Sequence, residues 1–273
     1  MKPVLALLLV FGLTAPVRLW SQASTIPSAA PTEPAGLSPE QQGKKLLDEM
    51  VEALGGPAWL NRKDMQVSAR TAAFFRGAPN GTVIEYTGWR RFPSSGQSEA
   101  ERVEFGKKHD IVQVWANGNG YEVTYKGRTE LPKDQVADYY RRQNHSIDSV
   151  VRDWVKAPGV MVIAEGSTMV DRRPADKLTI LSANNDAVTL ELDSATHLPL
   201  RRTFRWRNET FQDYDEEAET YGDYHTVQGV PTAYNTTRYR NGDMVSQRFL
   251  TKIVYNQAPS PDLFNPDLLL KKK

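Results

Sequence analysis

Hydrophobic residues recur along most of the chain with a period of two. The pattern is most regular over residues 188–264, in short runs with β-branched or aromatic side chains at alternate positions, bounded by Gly, Pro, Asn or Asp. Successive side chains of a strand point to opposite faces, so such runs predict an antiparallel meander. Earlier, Met65, Val67, Ala69, Thr71, Ala73 and Phe75 predict a strand, with Asn80-Gly81 as its turn and residues 82–92 as the return. Residues 102–106, 110–116 and 121–126 predict three more, the last two joined through Asn117-Gly118-Asn119-Gly120. Residues 161–164, 176–182, 187–192 and 198–206 continue the series. The acidic run at residues 213–219 reads as a solvated bend or edge.

Two stretches follow a helical period instead. Ser38 precedes Pro39, and Gln41 stands where a capping box needs it. Leu47, Met50, Val51 and Leu54 then share one face, and Gly55-Gly56 ends the helix. In residues 133–156, Val136, Tyr140, Ile147, Val151 and Trp154 form an apolar stripe that Tyr139, Val150 and Val155 widen. Asn144-His145-Ser146 is the place for a break into two helices, because these residues favour caps over helix interiors. A helix that interrupts a meander must lie across a face of the sheet rather than extend it. The predicted fold class is α+β, mostly β: a large curved antiparallel sheet with helices covering its concave face.

The ends of the chain read differently. Lys2, the apolar run over residues 4–13 and Ser21-Gln22-Ala23 resemble a secretory signal over residues 1–23, cleaved near Ala23. The alternative is an uncleaved anchor, although the run is short for a membrane span. Residues 24–37 predict a disordered leader rich in Pro, Ala, Ser and Thr, residues 38–268 a single domain, and residues 269–273 a basic tail.

Composition narrows the chemistry. The formal net charge of +1 over 273 residues gives no global field toward nucleic acid or acidic lipid. With no cysteine, the chain has no disulfide, thiolate nucleophile, Cys-held metal or lipid-modified Cys. No nucleophile elbow, phosphate loop, dinucleotide-binding glycine pattern or H-E-x-x-H occurs. His109, His145, His197 and His225 are widely spaced; His225 near Asp223 is the one pair worth weighing as metal ligands. His145, Ser146 and Asp148 have the residue types of a hydrolase triad, but adjacency in a helix does not give triad geometry. Glu99, Glu101 and Glu104 are candidate paired carboxylates or the wet face of a strand. Aromatic residues spread over successive strands instead, which gives the sheet an apolar face to be covered by helices, by ligand or by both.

Three stretches carry a family resemblance. Leu190-Glu-Leu-Asp193 with Thr196-His-Leu-Pro-Leu-Arg201 resembles the L-x-L-D-x-x-T-x-L-P-x-R hairpin of LolA-like periplasmic proteins, the lipoprotein carriers and sorting proteins. Tyr221-Gly-Asp-Tyr224 with Val227-Gln-Gly-Val-Pro231 resembles their Y-x-D-Y and V-x-G-V segment, with departures at Gly222 and Gln228. Asn256 through Pro261-Asp-Leu-Phe264 resembles their closing motif. The resemblance implies a half-open β-barrel with helices in its mouth and an apolar cavity that takes acyl chains. It implies an exported, periplasmic, non-enzymatic binding protein without cofactor. The implied partners are acyl chains of lipids or lipoproteins, and outer-membrane or envelope proteins, with no nucleic acid. The alternatives are a protein-binding envelope factor or sensor with a self-filled core, and an envelope hydrolase.

The candidate cavity residues are Phe75, Trp89, Trp115, Tyr140, Val151, Trp154, Leu190 and Phe204. Trp154 is the large side chain best placed to touch a ligand, with Trp89 and Trp115 opposite. With neither Cys nor clustered histidines, thermal unfolding is expected to be insensitive to chelator and to reductant. A midpoint that drops with chelator, read by circular dichroism, would reveal a metal site.

Overall fold

The computed structural model describes residues 36–94, 98–106 and 108–270. The signal read over residues 1–23, the leader read over 24–37 up to residue 35, and the last three lysines lie outside them. A first meander runs through β1 (Asp64–Phe75), β2 (Ala78–Arg91), β3 (Ala100–Phe105), β4 (Ile111–Ala116), β5 (Asn119–Thr124) and β6 (Gly127–Glu130). A second runs through β7 (Met161–Val170), β8 (Arg173–Leu181), β9 (Ala187–Asp193), β10 (Pro199–Asn208), β11 (Asp213–Val227), β12 (Val230–Arg240) and β13 (Asp243–Tyr255). β1 pairs antiparallel with β13, so the two meanders make one thirteen-stranded sheet, ordered β6-β5-β4-β3-β2-β1-β13-β12-β11-β10-β9-β8-β7. Its edges are β6 and β7, and it is not closed.

The helices lie where the apolar stripes predict. α1 (Pro39–Ala53) starts at Ser38 with the full capping box to Gln41. A short α2 (Pro57–Leu60) follows. Between β6 and β7 the chain forms α3 (Lys133–Asn144), α4 (Ile147–Arg152) and a single 3-10 turn at Trp154–Lys156. The break falls at His145-Ser146, where the Ser146 hydroxyl accepts the Ser149 N–H and caps α4.

Several turn readings are corrected. The β1–β2 turn is Arg76-Gly77, both at positive φ, the backbone that a tight two-residue hairpin demands. Asn80-Gly81 lies inside β2, where the register with β1 shifts. The β4–β5 turn uses only Asn117-Gly118, while Asn119-Gly120 opens β5. The largest correction concerns residues 213–219. They are not a solvated edge but the first half of β11, an interior strand between β10 and β12, with Asp215 and Glu217 buried.

The main core lies between the sheet and the helices. Leu46, Leu47 and Met50 of α1, Leu54 just after it, and Val150 and Val151 of α4 pack with Leu178, Ile180, Val188, Leu190 and Phe204 of β8–β10. The opposite face is covered by the segment after β13, where Phe264 joins Ala100 and Ala116, with Trp89 and Leu263 against them. Asp64 fixes the start of that segment, its carboxylate accepting the N–H groups of Gln257 at 2.7 Å and Ala258 at 3.1 Å.

α1 approaches β7 at Gly43. A Cβ there would sit 2.6 Å from the Val162 carbonyl oxygen and 2.8 Å from the Ala164 nitrogen, both backbone atoms. Gly43→Ala must therefore push the helix off the sheet and is expected to cost about 1–3 kcal/mol in a denaturant melt. Gly222→Ala, with open space around it, is the control and should stay within about 0.5 kcal/mol. Equal effects would show that the close approach is not a packing constraint.

Candidate functional site

Cross-strand partners share a face, so the registers assign every side chain of the sheet. On the concave face, beneath α3, stand Arg202 of β10, Glu217 and Glu219 of β11, Arg238 and Arg240 of β12 and Arg248 of β13. The alternation that read as a wet acidic run aims these acids inward at arginines on both neighbouring strands. Arg202 and Glu217 are buried, while Glu219, Arg238 and Arg248 are half-buried.

Arg202 holds the helical cover to the sheet. Its guanidinium donates to the carbonyl oxygens of His145 at 2.8 Å and Arg142 at 3.3 Å, at the end of α3, and pairs with Glu219 at 3.3 Å. Those carbonyls have no partner within the helix, so the arginine satisfies groups that burial would otherwise leave unpaired. Glu219 also accepts the Tyr221 hydroxyl at 2.7 Å. The middle of α3 is held by Tyr139, whose ring stacks on Trp115 at 4.0 Å and whose hydroxyl donates to Glu101 at 2.6 Å. His145 stacks on Phe204 at 4.3 Å, with its ring nitrogens facing the Arg141 carbonyl and the Asp186 carboxylate.

The two glutamates of β11 differ in their environments. Burial raises Glu217 above its ordinary carboxylate value, and its Oε1 has no hydrogen-bond partner. Burial also works against ionisation of Glu219, but Arg202, Arg248 and the Tyr221 hydroxyl outweigh it and hold this carboxyl below its ordinary value. Burial, then Arg142, pulls the Arg238 guanidinium below its ordinary value. Burial and Glu219 push the Tyr221 hydroxyl well up.

The eight candidate cavity residues do not form one site. Leu190, Phe204 and Val151 are buried in the main core, with Trp154 packed against it. Trp115 faces the helices under Tyr139, and Tyr140 packs edge-on to Tyr139 while its hydroxyl donates to the Asn119 carbonyl. Phe75 sits at the sheet rim with 69% of its surface exposed. Trp89 and Trp115 do not both stand opposite Trp154, since only Trp115 is on the face under the helices. Trp89 pairs with Arg102 whereas Trp115 pairs with Glu101, so the adjacent positions turn the two rings to opposite faces.

The other candidate chemistry has separate explanations. His145 faces Asp186, Ser146 caps α4, and Asp148 pairs with Arg62 at 2.5 Å, so the three triad types do not meet. Glu99 pairs with Arg90, Glu101 binds Tyr139, and Glu104 lies on the other face with Arg102. His225 reaches Asp223 at 2.9 Å on the surface, and no group of three or more metal-ligating side chains occurs among the described residues.

The family motifs mostly build turns. Asp193 accepts the N–H groups of Ala195 and Thr196 and pairs with Arg173, closing the β9–β10 hairpin. The Tyr224 hydroxyl donates to the Pro199 carbonyl at 2.8 Å. The Gln228 side chain bonds the Tyr255 backbone in both directions.

Solved structures with a similar fold exist. A DUF1329 family protein from Desulfovibrio piger is similar over 84% of this chain and 98% of its own, at 13% identity and a TM-score of 0.57. A putative outer membrane lipoprotein-sorting protein domain from Vibrio parahaemolyticus is similar over 82% of this chain and 97% of its own, at 10% identity and a TM-score of 0.52. The fold is LolA-like. A LolA superfamily protein from Nitrosomonas europaea covers 82% of this chain and 96% of its own at 11% identity, with a TM-score of 0.47. No protein-family model and no curated protein matches the sequence. In this LolA-like sheet the half beneath α1 and α4 is apolar and filled, whereas the half beneath α3 is lined with charge. Two hollows lie elsewhere. One, of about 750 Å³, runs along the outer side of α1 past Lys45, Glu49 and His197. The other, of about 530 Å³, includes Ser68, Arg70, Glu85 and Thr87 on the opposite face. Neither is lined by any of the eight candidate residues.

The two glutamates of β11 are expected to respond differently to neutralisation. Glu219 has a lowered folded value, so its charge stabilises the fold above the ordinary glutamate range, about pH 4.3, and that contribution is lost as pH falls through the folded value. Glu219→Gln should therefore cost about 3 kcal/mol at pH 7, with the gap to the parent closing in acid. Glu217 has a raised value, so its charge opposes folding at pH 7, and Glu217→Gln should be neutral or stabilising. Denaturant melts of both variants at neutral and acid pH separate them, and equal costs at pH 7 would contradict this electrostatic picture.

Proposed function

We propose that this chain is a non-enzymatic binding protein of the cell envelope that takes acyl chains of lipids or lipoproteins on the concave face of its sheet. The observation that carries the reading is the open apolar stretch beside the helical cover. Ile84, Tyr86, Val103 and Phe105 face the concave side on β2 and β3 and stay half-exposed, and exposed Phe75 stands at the rim. Neighbouring on paired strands, they make a contiguous apolar stretch, and a patch of that kind marks a binding surface where scattered apolar residues do not. The likeness to a lipoprotein-sorting domain supports the same reading. Each methylene taken from water contributes about 0.8 kcal/mol, so an acyl chain binds without a dense array of polar contacts.

The expected location is the periplasm, reached by the export signal read from the first residues. Trp115 and Tyr140 mark the boundary between the open stretch and the cover, and Val151, Trp154, Leu190 and Phe204 line the acyl path if α4 lifts. The full burial of Leu178, Ile180, Val188 and Leu190 favours a second reading, a protein-binding envelope factor whose core is filled by its own side chains.

A titration of the purified protein with a fluorescent acyl probe distinguishes them. Saturable binding, displaced by unlabelled fatty acid, is expected. Phe105→Asp should weaken it at least tenfold, the loss of one buried aromatic side chain, with little change in the melt. Trp154→Ala, in the packed half, should instead cost about 3–5 kcal/mol of stability. No saturable binding by the parent protein would leave the filled-core reading.

A further inference from the structure

Two guanidinium groups on the concave face have no carboxylate in contact with them. Among the described residues Arg238 makes no hydrogen bond and no ion pair, and its Nε is buried. Its register neighbours are Glu219, already committed to Arg202 and Tyr221, and Ser246. Arg248 donates to the Thr236 hydroxyl at 3.2 Å and bonds Tyr86, and its Nε is likewise buried without a partner. Arginine cannot shed its proton at any physiological pH. Among the described residues neither guanidinium has a carboxylate within ion-pair distance, and burial disfavours the charge of Arg238, a cost that a bound anion would relieve.

The ground beside these two arginines is shaped to admit such an anion. Crossing the sheet from β12, the concave-face positions are Arg238, then Ser246 and Arg248 on β13, then Ala73 and Thr71 on β1, then Ile84 and Tyr86 on β2, then Phe105 on β3. All are half-exposed. Ser246, Ala73 and Thr71 are small, so they form a low floor between a basic bank and an apolar one. Tyr86 and Phe105 face each other at 6.4 Å between ring centres, which makes the apolar bank continuous. One bank fits an anionic oxygen group and the other fits hydrocarbon.

We propose that Arg238 and Arg248 form an anion subsite that receives the carboxylate or phosphate head of an amphiphile, with its hydrocarbon along Ile84, Tyr86 and Phe105. The proposal rests on the binding reading above and names its ligand class: anionic amphiphiles rather than neutral lipids. Glu217, Glu219, Asp138 and Arg142 are the other charged groups near Arg238. Glu217 and Glu219 are within ion-pair distance of Arg202, and Asp138 of Arg142, which leaves the Arg238 fork open to a ligand.

Three probes test it by calorimetric titration: sodium myristate below its micelle concentration, myristyl alcohol, and inorganic phosphate. The parent protein should bind myristate at least tenfold more tightly than the alcohol, the margin of a charge-assisted hydrogen bond. Arg238→Gln and Arg248→Gln should each remove that preference and leave alcohol binding unchanged. Each variant is read beside its own melt, so a folding defect in one leaves the other to decide. Equal affinity of the parent for acid and alcohol would overturn the anion subsite while the acyl-binding reading stood. Phosphate binding that requires Arg238, with neither lipid bound, would support the anion site and overturn its lipid occupant along with the acyl-binding reading. No binding of any probe would reject both.

Discussion

β6 and β7 follow one another in the chain and lie at opposite edges of the same sheet. The thirty residues between them must cross the full width of the sheet, and the concave face is the side they cross. Everything particular to this molecule follows from that traverse. It needs a rigid segment, supplied by α3 and α4, and it needs anchoring points on strands far apart in sequence. Tyr139 provides one through Trp115 and Glu101. Arg202 provides the other through the carbonyls at the end of α3.

The second anchor explains why charge is buried in the middle of the sheet. A buried guanidinium needs acceptors for its donors and a nearby negative charge, or its desolvation outweighs what it holds together. Glu219 is that charge, and Tyr221 orients it. Glu217, Arg238 and Arg240 follow on the same face by the period of the strand. The concave face is thus divided. Apolar side chains and helices fill one half, and a polar lattice supports the traverse in the other, with surplus arginine at its margin.

The sheet, its antiparallel sense and the place of the helical interruption were legible in the sequence, because period two, period 3.6 and turn residues are local. The break at His145-Ser146 was legible for the same reason, since Ser146 is a cap. The hairpin at Arg76-Gly77 was not, because Asn80-Gly81 carries the stronger local signal and only the pairing of Phe75 with Ala78 reveals the turn. Residues 213–219 misled because seven residues with five acids look solvated until Arg202, Arg238 and Arg240 are seen on the flanking strands. The hint was present: arginines at alternate positions, Arg205 with Arg207 and Arg238 with Arg240, flank the acidic run on both sides. Trp89 and Trp115 were both read as standing opposite Trp154, although which face each ring takes depends on a register that no local pattern sets.

The joining of β1 to β13 also sets an order of events while the chain is made. Lys63 and Asn256, which close that pairing at one end, are 193 residues apart. β1 therefore has only β2 beside it until nearly the whole chain has been synthesised. Its other edge stays a row of unmatched backbone donors and acceptors. Pairings this distant in sequence form slowly, because the loop must close before any contact rewards it. The newborn chain thus carries an open edge from Asp64 to Phe75 for most of its synthesis, and this edge, rather than either edge of the finished sheet, is where two copies would first stick together.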